Sequence, residues 1–152
     1  MNTDDLQRLG PETRPRIAAD AEGGLAEAPP TESEAVRLVR RVFAADEARD
    51  VEAFLNLLTP DVTFRLGSQP EVSGREAVRT IVSGLFAAMD TISHRLIGLW
   101  TRADTIAVRA EVAMTPKGGA TSVLPYMNAL RVAGNGQLAE YRIHIDFSLL
   151  RP

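Results

Sequence analysis

The sequence predicts an α+β domain in which amphipathic helices cover one face of a curved, mostly antiparallel sheet. Three observations support this fold class. The C-terminal part of the chain contains three long segments of alternating apolar and polar residues, separated by glycine-containing turns: 105–114, 122–132 and 137–149. Two earlier segments carry apolar residues at helical spacing. A sheet with one apolar face needs a cover, and these helices can supply it.

The composition fits one domain with a hydrophobic core. The chain has 152 residues, of which 45% are hydrophobic, and its net charge is −3. Basic residues do not cluster, so we expect no nucleic-acid partner. The absence of cysteine excludes disulfides and thiolate catalysis. With no apolar leader and no stretch long enough to span a bilayer, the sequence predicts a cytoplasmic protein without a membrane partner.

Residues 1–30 differ from the remainder, 31–152, which we expect to form a single domain. Any helix there is interrupted by proline or loosened by a glycine pair: Pro11, Pro15, Pro29, Pro30 and Gly23-Gly24. The sequence therefore predicts a flexible N-terminal arm. An ordered segment that packs on a partner subunit is the alternative.

The first helix begins at a capping box formed by Thr31 and Glu34. Its apolar stripe runs to Phe43, and three residues further on the stripe reaches Asp46. A carboxylate at a position where the pattern requires an apolar side chain is an anomaly that needs an explanation. A short second helix is predicted over residues 51–58.

The middle of the chain predicts a strand, a helix and another strand. The strand covers residues 61–66, and the helix begins at a second capping box in residues 73–76. The next strand covers residues 94–100, and strict alternation assigns four of its residues to one face: His94, Leu96, Gly98 and Trp100.

Alternation also assigns faces on the later strands. On the last strand the residues expected inside are Tyr141, Ile143 and Ile145. The polar residues between and after them should face a partner subunit or solvent: Arg142, His144 and Asp146.

On the strand over residues 122–132 we expect Met127 inside, whereas Tyr126 and Asn128 share the outward parity. A register error of one residue would exchange the two faces and turn the outer polar set into the active site.

Three stretches, ADEARDVEAFLNLLTPDVTFRLG, SGREAVRTIVSGLFAAMD and GNGQLAEYRIHIDFSLL, resemble the SnoaL-like branch of the nuclear transport factor 2-like superfamily. That branch contains polyketide cyclases, ketosteroid isomerases, limonene-type epoxide hydrolases and scytalone dehydratase. The resemblance covers about residues 31–150. It implies a cone-shaped α+β barrel with a cavity between the helices and the concave sheet face, and a homodimer formed through the outer sheet face. Because this fold supports many reactions, function must be inferred from the cavity residues.

The limonene-type epoxide hydrolases hold their water with a Tyr and an Asn, and these positions fall at Phe64 and Leu66. Their base falls at Ile143. Their Arg and Asp correspond to Arg109 and Glu111 if one residue is skipped, which keeps epoxide hydrolysis as a third functional hypothesis.

The catalytic positions of the ketosteroid isomerases fall at Val42, Leu66 and Met127, so their mechanism cannot operate here in its usual form. Asp46, in contrast, matches a cavity-facing position of the first helix. His94 opens a stretch that resembles the histidine segment of scytalone dehydratase, where the histidine takes part in acid/base catalysis.

We therefore predict that Asp46 and His94 meet in the cavity as general base and orienter. The alternative is that Asp46 pairs with Arg49 near the helix end and that His94 satisfies a backbone carbonyl. Polar support is expected from Arg109, Glu111 and Tyr141. The predicted substrate-binding residues are Phe43, Phe64, Leu66, Leu85, Met89, Trp100, Met127, Ile143 and Ile145. No metal site and no cofactor are expected, since the chain has only two histidines and no cysteine.

These residues predict a cofactor-independent enzyme that cyclises, isomerises or dehydrates an apolar, carbonyl-bearing molecule of polyketide or terpenoid type. A non-catalytic ligand-binding or assembly domain of the same fold is the alternative, because apolar residues occupy the familiar catalytic positions.

Overall fold

The computed structural model describes residues 28–151, so most of the predicted N-terminal arm, residues 1–27, lies outside the described part of the chain. The described elements are, in order, α1 (Glu32–Ala48), α2 (Val51–Asn56), β1 (Leu58–Leu66), β2 (Val72–Ser73), α3 (Arg75–Ala88), β3 (Met89–Arg102), β4 (Thr105–Pro116), β5 (Ser122–Val132), β6 (Leu138–Ile145) and a 3-10 turn (Phe147–Leu149). Apart from the two-residue strand β2, and from the 3-10 turn that replaces the end of the last strand predicted over residues 137–149, this is the predicted order.

The six strands form one sheet in the order β2-β1-β6-β5-β4-β3. Only β1 and β6 pair in parallel, and every other neighbouring pair is antiparallel. The open sheet is curved and the helices pack on it, which confirms the predicted α+β cone. No helix within residues 28–151 is long and apolar enough to cross a membrane.

The capping box predicted at the start of α1 is present. Glu34 N–H donates to Thr31 Oγ1 at 3.2 Å, and Thr31 N–H donates to the Glu34 carboxylate at 2.9 Å. The helix ends at Arg49, which adopts a left-handed backbone conformation with φ 53°. This reversal starts α2 directly afterwards, with Asp50 as its N-cap.

The second predicted capping box is wrong. Gly74, with φ 87°, is the residue before α3, and no side chain caps this helix. Ser73 instead belongs to β2 and pairs with Thr63 of β1. Because Gly74 N–H donates to the Val62 carbonyl at 2.8 Å, the chain remains attached to the sheet edge until the helix begins.

Strand β3 contains a β-bulge between Leu96 and Gly98, which corrects the predicted face of Trp100. Before the bulge, His94 and Leu96 face the helices. After it the parity is reversed: Leu99, opposite Val108 of β4, packs against the core, and Trp100 is 55% exposed on the outer face. The indole lies over Gly98, where an added Cβ would come within 2.7 Å of the ring.

The predicted faces of β5 are also wrong. Tyr126 and Asn128 are buried on the helix side of the sheet, whereas Met127 is 45% exposed on the outer side. The pairing with β4 explains this, since Met127 stands opposite the exposed Arg109 and Tyr126 stands opposite the buried Ala110. The prediction assumed that polar residues face outward, and here two of them line the interior.

An aromatic cluster joins the helices to the sheet below them. Phe54 of α2 is buried, and its ring lies 6.3 Å from Phe64, 6.4 Å from Phe86 and 5.8 Å from Tyr141, measured between centroids. The cluster therefore connects α2, α3, β1 and β6 at one point, beneath the polar residues of the cavity.

Candidate active site

Two hydrogen bonds join the end of α1 to the start of β3. The backbone N–H of His94 donates to Glu47 Oε1 at 2.7 Å, and Arg49 Nη1 donates to the Met89 carbonyl at 2.7 Å. Asp46 lies one residue before this attached segment of α1, so its carboxylate is held against β3. Arg49 is engaged by a backbone carbonyl, which is not the Asp46–Arg49 pairing considered as an alternative.

The structure brings Asp46 and His94 together, as predicted. His94 Nε2 lies 3.3 Å from Asp46 Oδ2, and the side chains are 8% and 16% exposed. These atoms are within ion-pair distance, but the geometry is not that of an aligned hydrogen bond, and no other residue in 28–151 partners Nε2.

The imidazole of His94 is fixed on its remaining sides. Its ring stacks on Phe43, with centroids 4.4 Å apart and an interplanar angle of 11°. On the opposite edge, Nδ1 lies 2.7 Å from Tyr126 Oη. Asp46, His94 and Tyr126 thus form a continuous polar chain from α1 across β3 to β5.

Burial raises the pKa of the two acidic groups in this chain, the carboxyl of Asp46 and the hydroxyl of Tyr126. Burial raises the pKa of Asp46 above its ordinary value of 3.8, and contact with His94 offsets part of that increase. Burial, together with the charges of Asp46 and Glu47, raises the pKa of Tyr126, so its hydroxyl stays protonated. A buried carboxyl with a raised pKa beside an imidazole is suited to taking up and returning protons.

A second polar pair lies on the same sheet face. Asn128 Nδ2 donates to Tyr141 Oη at 3.4 Å, and both side chains are buried. Burial raises the pKa of Tyr141 well above its ordinary range, and the negative charge of Asp46 adds to the effect. Tyr141 was expected as polar support, but Asn128 was not expected inside.

The sequence contained a signal for this arrangement. Arg131 and Pro125 share the parity of Met127, and both are poor candidates for a buried strand face. Leu124 and Leu130 share the parity of Tyr126. Counting the whole strand, rather than its polar residues alone, would have placed Tyr126 and Asn128 inside.

The polar groups open into a cavity of about 50 Å³ between the sheet and the helices. Its lining is mostly apolar and consists of Asp46, Leu66, Leu85, Phe86, Ile92, His94, Val112, Met114, Tyr126, Asn128, Tyr141, Ile143, Ile145 and Phe147. Among the predicted substrate-binding residues, four line this cavity: Leu66, Leu85, Ile143 and Ile145.

The other predicted binding residues lie elsewhere. Phe43, Phe64 and Met89 are buried behind the lining, where Phe43 supports His94 and Phe64 packs on Tyr141 with a centroid distance of 5.5 Å. Trp100 lies on the outer sheet face because the β-bulge reverses the parity of β3. Met127 lies there because it pairs with the exposed Arg109 of β4.

Arg109 and Glu111 also lie outside the cavity. They face outward on β4, between buried neighbours, and Glu111 forms an ion pair with Arg95 at 2.6 Å. The structure thus corrects their predicted role as polar support. His144 lies on the same outer face, as predicted, and contributes to a shallow groove there with Arg109, Glu111 and Met127.

The remaining polar residues near the end of β6 have structural partners. Arg142 forms ion pairs with Glu71 at 2.9 Å and with Glu140 at 2.7 Å. Asp146 accepts from the backbone N–H of Ser148 at 2.9 Å and so caps the terminal 3-10 turn.

Solved structures share this fold. The structure of a protein with a ketosteroid isomerase-like fold from Catenulispora acidiphila DSM 44928, bound to trimethylamine, aligns with TM-score 0.68 and 17% identity over 74% of this chain and 88% of that chain. A nuclear transport factor 2-like protein from Exiguobacterium sp. 255-15 aligns with TM-score 0.63 and 24% identity, over 72% and 98%. SalBIII, an epoxide hydrolase/cyclase-like enzyme of pyran ring formation in salinomycin, aligns with TM-score 0.69 and 17% identity, over 79% and 96%.

These identities are low, so the structural matches establish the fold alone. None of the curated protein sequences matches the chain. The sequence profile of the SnoaL-like domain family matches residues 39–141, which is more than half of the chain. The chain therefore belongs to the SnoaL-like domain family.

Proposed function

We propose that this protein is a cofactor-independent acid/base enzyme that cyclises, isomerises or dehydrates a compact, largely apolar carbonyl compound. The observation that carries the proposal is the Asp46–His94–Tyr126 chain, which ends in a mostly apolar cavity. Its carboxyl has a raised pKa and its imidazole is fixed by Phe43 and Tyr126. Perturbed groups that converge on a cavity are enriched at catalytic sites.

The chemistry follows from the roles of the three side chains. The Asp46 carboxylate takes a proton from the carbon beside the carbonyl, and the electron pair of that C–H bond moves through the new C=C bond onto the carbonyl oxygen. Tyr126 donates to Nδ1 of His94, which leaves the Nε2 proton facing Asp46 and steadies its charge. If Asp46 returns the proton to another carbon, the substrate is isomerised. If Asp46 gives the proton to a β-hydroxyl, that group leaves as water and the substrate is dehydrated. If the enolate carbon attacks a second carbonyl, a ring closes and Asp46 gives the proton to the oxygen of that carbonyl.

The size of the cavity restricts the substrate. A volume of about 50 Å³ corresponds to roughly three to five water molecules. It therefore suits a compact molecule, or one part of a larger polyketide- or terpenoid-like molecule. SalBIII acts in pyran ring formation in the polyether salinomycin. This supports a larger substrate of which only one part enters the cavity.

Exchange of α-hydrogens tests the proposal without knowledge of the natural substrate. Cyclopentanone is incubated with the protein in D₂O, and deuterium incorporation is followed by NMR. We expect the wild-type protein to accelerate exchange and His94→Gln to lower this acceleration about 10²-fold or more. His144→Gln is the matched control, because the other histidine lies on the outer face, and it should retain wild-type exchange. Equal rates with and without the protein would contradict the proposal.

A passive ligand-binding protein is the second candidate. It is favoured by the apolar residues Leu66 and Ile143, which line the cavity where relatives carry catalytic groups. Such a protein would bind cyclopentanone without exchanging its hydrogens, and Asp46→Asn would leave affinity within about twofold. Epoxide hydrolysis loses its support, because Arg109 and Glu111 face away from the cavity.

We also propose that the protein forms a homodimer through an outer patch, defined as Ile97, Trp100, Val123 and Met127. These four side chains are large, apolar and exposed on one sheet face. Arg109 lies beside them and has no ion-pair partner among residues 28–151. A copy related by a two-fold axis presents the same residues in reverse order, so Arg109 can meet Glu111 of that copy.

Light scattering coupled to size exclusion tests the dimer. Met127→Asp places a carboxylate in the centre of the outer patch, and we expect it to convert the dimer to a monomer. Ala44→Asp introduces the same group on the exposed side of α1 and should leave the dimer intact. A wild-type protein that elutes as a monomer, or a dimer insensitive to Met127→Asp, would disprove the proposed interface.

A further inference from the structure

Asn128 and Tyr141 form a polar pair in the cavity that the proton-transfer chain does not use. Asn128 is 4% exposed and Tyr141 is 2% exposed, and they contact one another through a long hydrogen bond of 3.4 Å. The Oδ1 atom of Asn128 is buried and has no hydrogen-bond partner among residues 28–151. Buried polar atoms are normally satisfied, so an oxygen on the cavity wall with no protein partner is available to accept a hydrogen bond from a ligand.

The hydrogen-bonding capacity of this pair does not depend on the orientation of the amide. With Nδ2 toward the phenol, the Tyr141 O–H and Asn128 Oδ1 remain for a ligand. With the amide rotated by half a turn, the phenol donates to Oδ1, and the amide N–H groups and the phenol oxygen remain. Each orientation leaves one donor and one acceptor facing the cavity.

The two tyrosines of the cavity are in different situations. Tyr126 contacts His94 Nδ1 at 2.7 Å, a distance typical of a strong hydrogen bond, so its hydroxyl is already engaged. Among residues 28–151, the Tyr141 hydroxyl has only the long contact to Asn128. Of the two phenols, Tyr141 is therefore the one available to a ligand.

We propose that Asn128 and Tyr141 bind the carbonyl oxygen of the substrate, so that the protein selects small ketones and related oxygen-bearing molecules over hydrocarbons of the same shape. This inference rests on the proposed function and deepens it, because it gives the substrate a fixed orientation. The two ends of the cavity are related by the strand: Asn128 follows Tyr126 by two positions on the same face of β5, about 7 Å along the strand. A carbonyl group and its adjacent carbon, with a hydrogen bond at one end and a carboxylate at the other, span a comparable length.

This placement also serves the proton transfer. When Asp46 takes the proton, the electron pair moves to the carbonyl oxygen, which becomes an enolate. The Tyr141 hydroxyl, which burial keeps protonated, donates to that oxygen where the charge develops. In D₂O the proton taken up by Asp46 is replaced by a solvent deuteron before Asp46 returns a deuteron to carbon, so the protein ends each exchange with the carboxylate in its starting state.

Binding of two matched probes tests the proposal. Cyclopentanone and methylenecyclopentane have the same shape, but only the ketone accepts a hydrogen bond. Each is titrated against the protein, and affinity is measured from the methyl chemical shifts of Ile143 and Ile145. We expect Tyr141→Phe to weaken binding of the ketone by about 3- to 10-fold and to change binding of the hydrocarbon less than twofold. Asn128→Leu should have the same selective effect.

Tyr126→Phe is the control, because it makes the same chemical change at the other tyrosine of the cavity. We expect it to leave the ratio of the two affinities unchanged. A Tyr141→Phe variant that weakens both probes equally, or a ratio that responds to Tyr126→Phe instead, would overturn the proposal. Titration of Asp46→Asn separates this proposal from the proposed function. If Asp46→Asn still prefers the ketone but no longer exchanges its α-hydrogens, the oxygen site is supported. If the wild-type protein exchanges α-hydrogens but Tyr141→Phe has no selective effect on ketone binding, only the proton-transfer chain is supported.

Discussion

Asp46→Asn is expected to reduce the exchange of cyclopentanone α-hydrogens by about 10²- to 10⁴-fold, the range that a positioned general base contributes. Asparagine has nearly the same shape as aspartate and can still contact His94, but it cannot accept a proton from carbon. The effect should therefore appear in the exchange rate and not in the affinity for the ketone. Asp90→Asn, at the exposed start of β3, is the matched control and should exchange at the wild-type rate.

Asp46→Asn is also expected to raise the free energy of unfolding. A variant more stable than the wild type cannot have lost exchange because it unfolds. Because burial raises the pKa of Asp46 in the folded protein, ionising it costs folding free energy. The favourable contribution of the protonated group is complete below its ordinary value of 3.8 and is lost as pH rises through the folded value. An asparagine side chain cannot ionise, so the free energy of unfolding of Asp46→Asn should exceed that of the wild type by an amount that increases with pH.

Urea unfolding between pH 4 and pH 8 measures this difference. Its slope cannot exceed about 1.4 kcal/mol per pH unit, the limit for one proton. A less stable variant at neutral pH would mean that the contact with His94 outweighs the cost of burying the charge. Undiminished exchange would remove Asp46 from the proposed mechanism.

Phe54→Ala is expected to lower the free energy of unfolding by about 3–5 kcal/mol, which is typical for truncation of a buried phenylalanine. Phe54 is 2% exposed, and its ring contacts Phe64, Phe86 and Tyr141. The cavity left by the ring cannot be filled by one neighbour, because these contacts come from three different elements.

Urea unfolding at neutral pH again provides the measurement. Leu149→Ala, which truncates an apolar side chain that is 53% exposed and lies outside the outer patch, is the control and should change stability by less than about 0.5 kcal/mol. A loss below about 1 kcal/mol for Phe54→Ala would show that α2 can collapse into the space. Since Tyr141 belongs to the same cluster, the variant should also weaken selection of the ketone.

The fold could be predicted from the sequence because its main elements carry regular patterns. The capping box at Thr31, the alternation of β4 and the glycine turns are local signals, and local signals determined the order of elements. Asp46 could be found for a related reason, since a single carboxylate in an apolar stripe contradicts the local pattern and points to a function.

The rest of the site depends on pairing between strands, which no local pattern reveals. Tyr126 and Asn128 were assigned to the outside because polar side chains usually face solvent. The register between β5 and β4 places them inside. There Tyr126 contacts His94 and Asn128 contacts Tyr141, so these buried polar groups have hydrogen-bond partners without facing solvent. Trp100 was misplaced because one additional residue in β3 changes the parity of everything after it.

That additional residue divides β3 into two halves with opposite parity, so the same spacing along the chain leads to different faces before and after it. Before the bulge His94 lies on the cavity side of the sheet, and after it Trp100 lies on the outer face. Substitutions in one half do not change the sheet face that the residues of the other half occupy. If Ile97 instead paired regularly with β4 and His94 kept its place, the parity after Leu96 would change, and the indole of Trp100 would turn toward the helices and compete for interior volume. One residue in an edge strand thus decides whether the only tryptophan of the chain lies exposed on the outer face or occupies space in the interior.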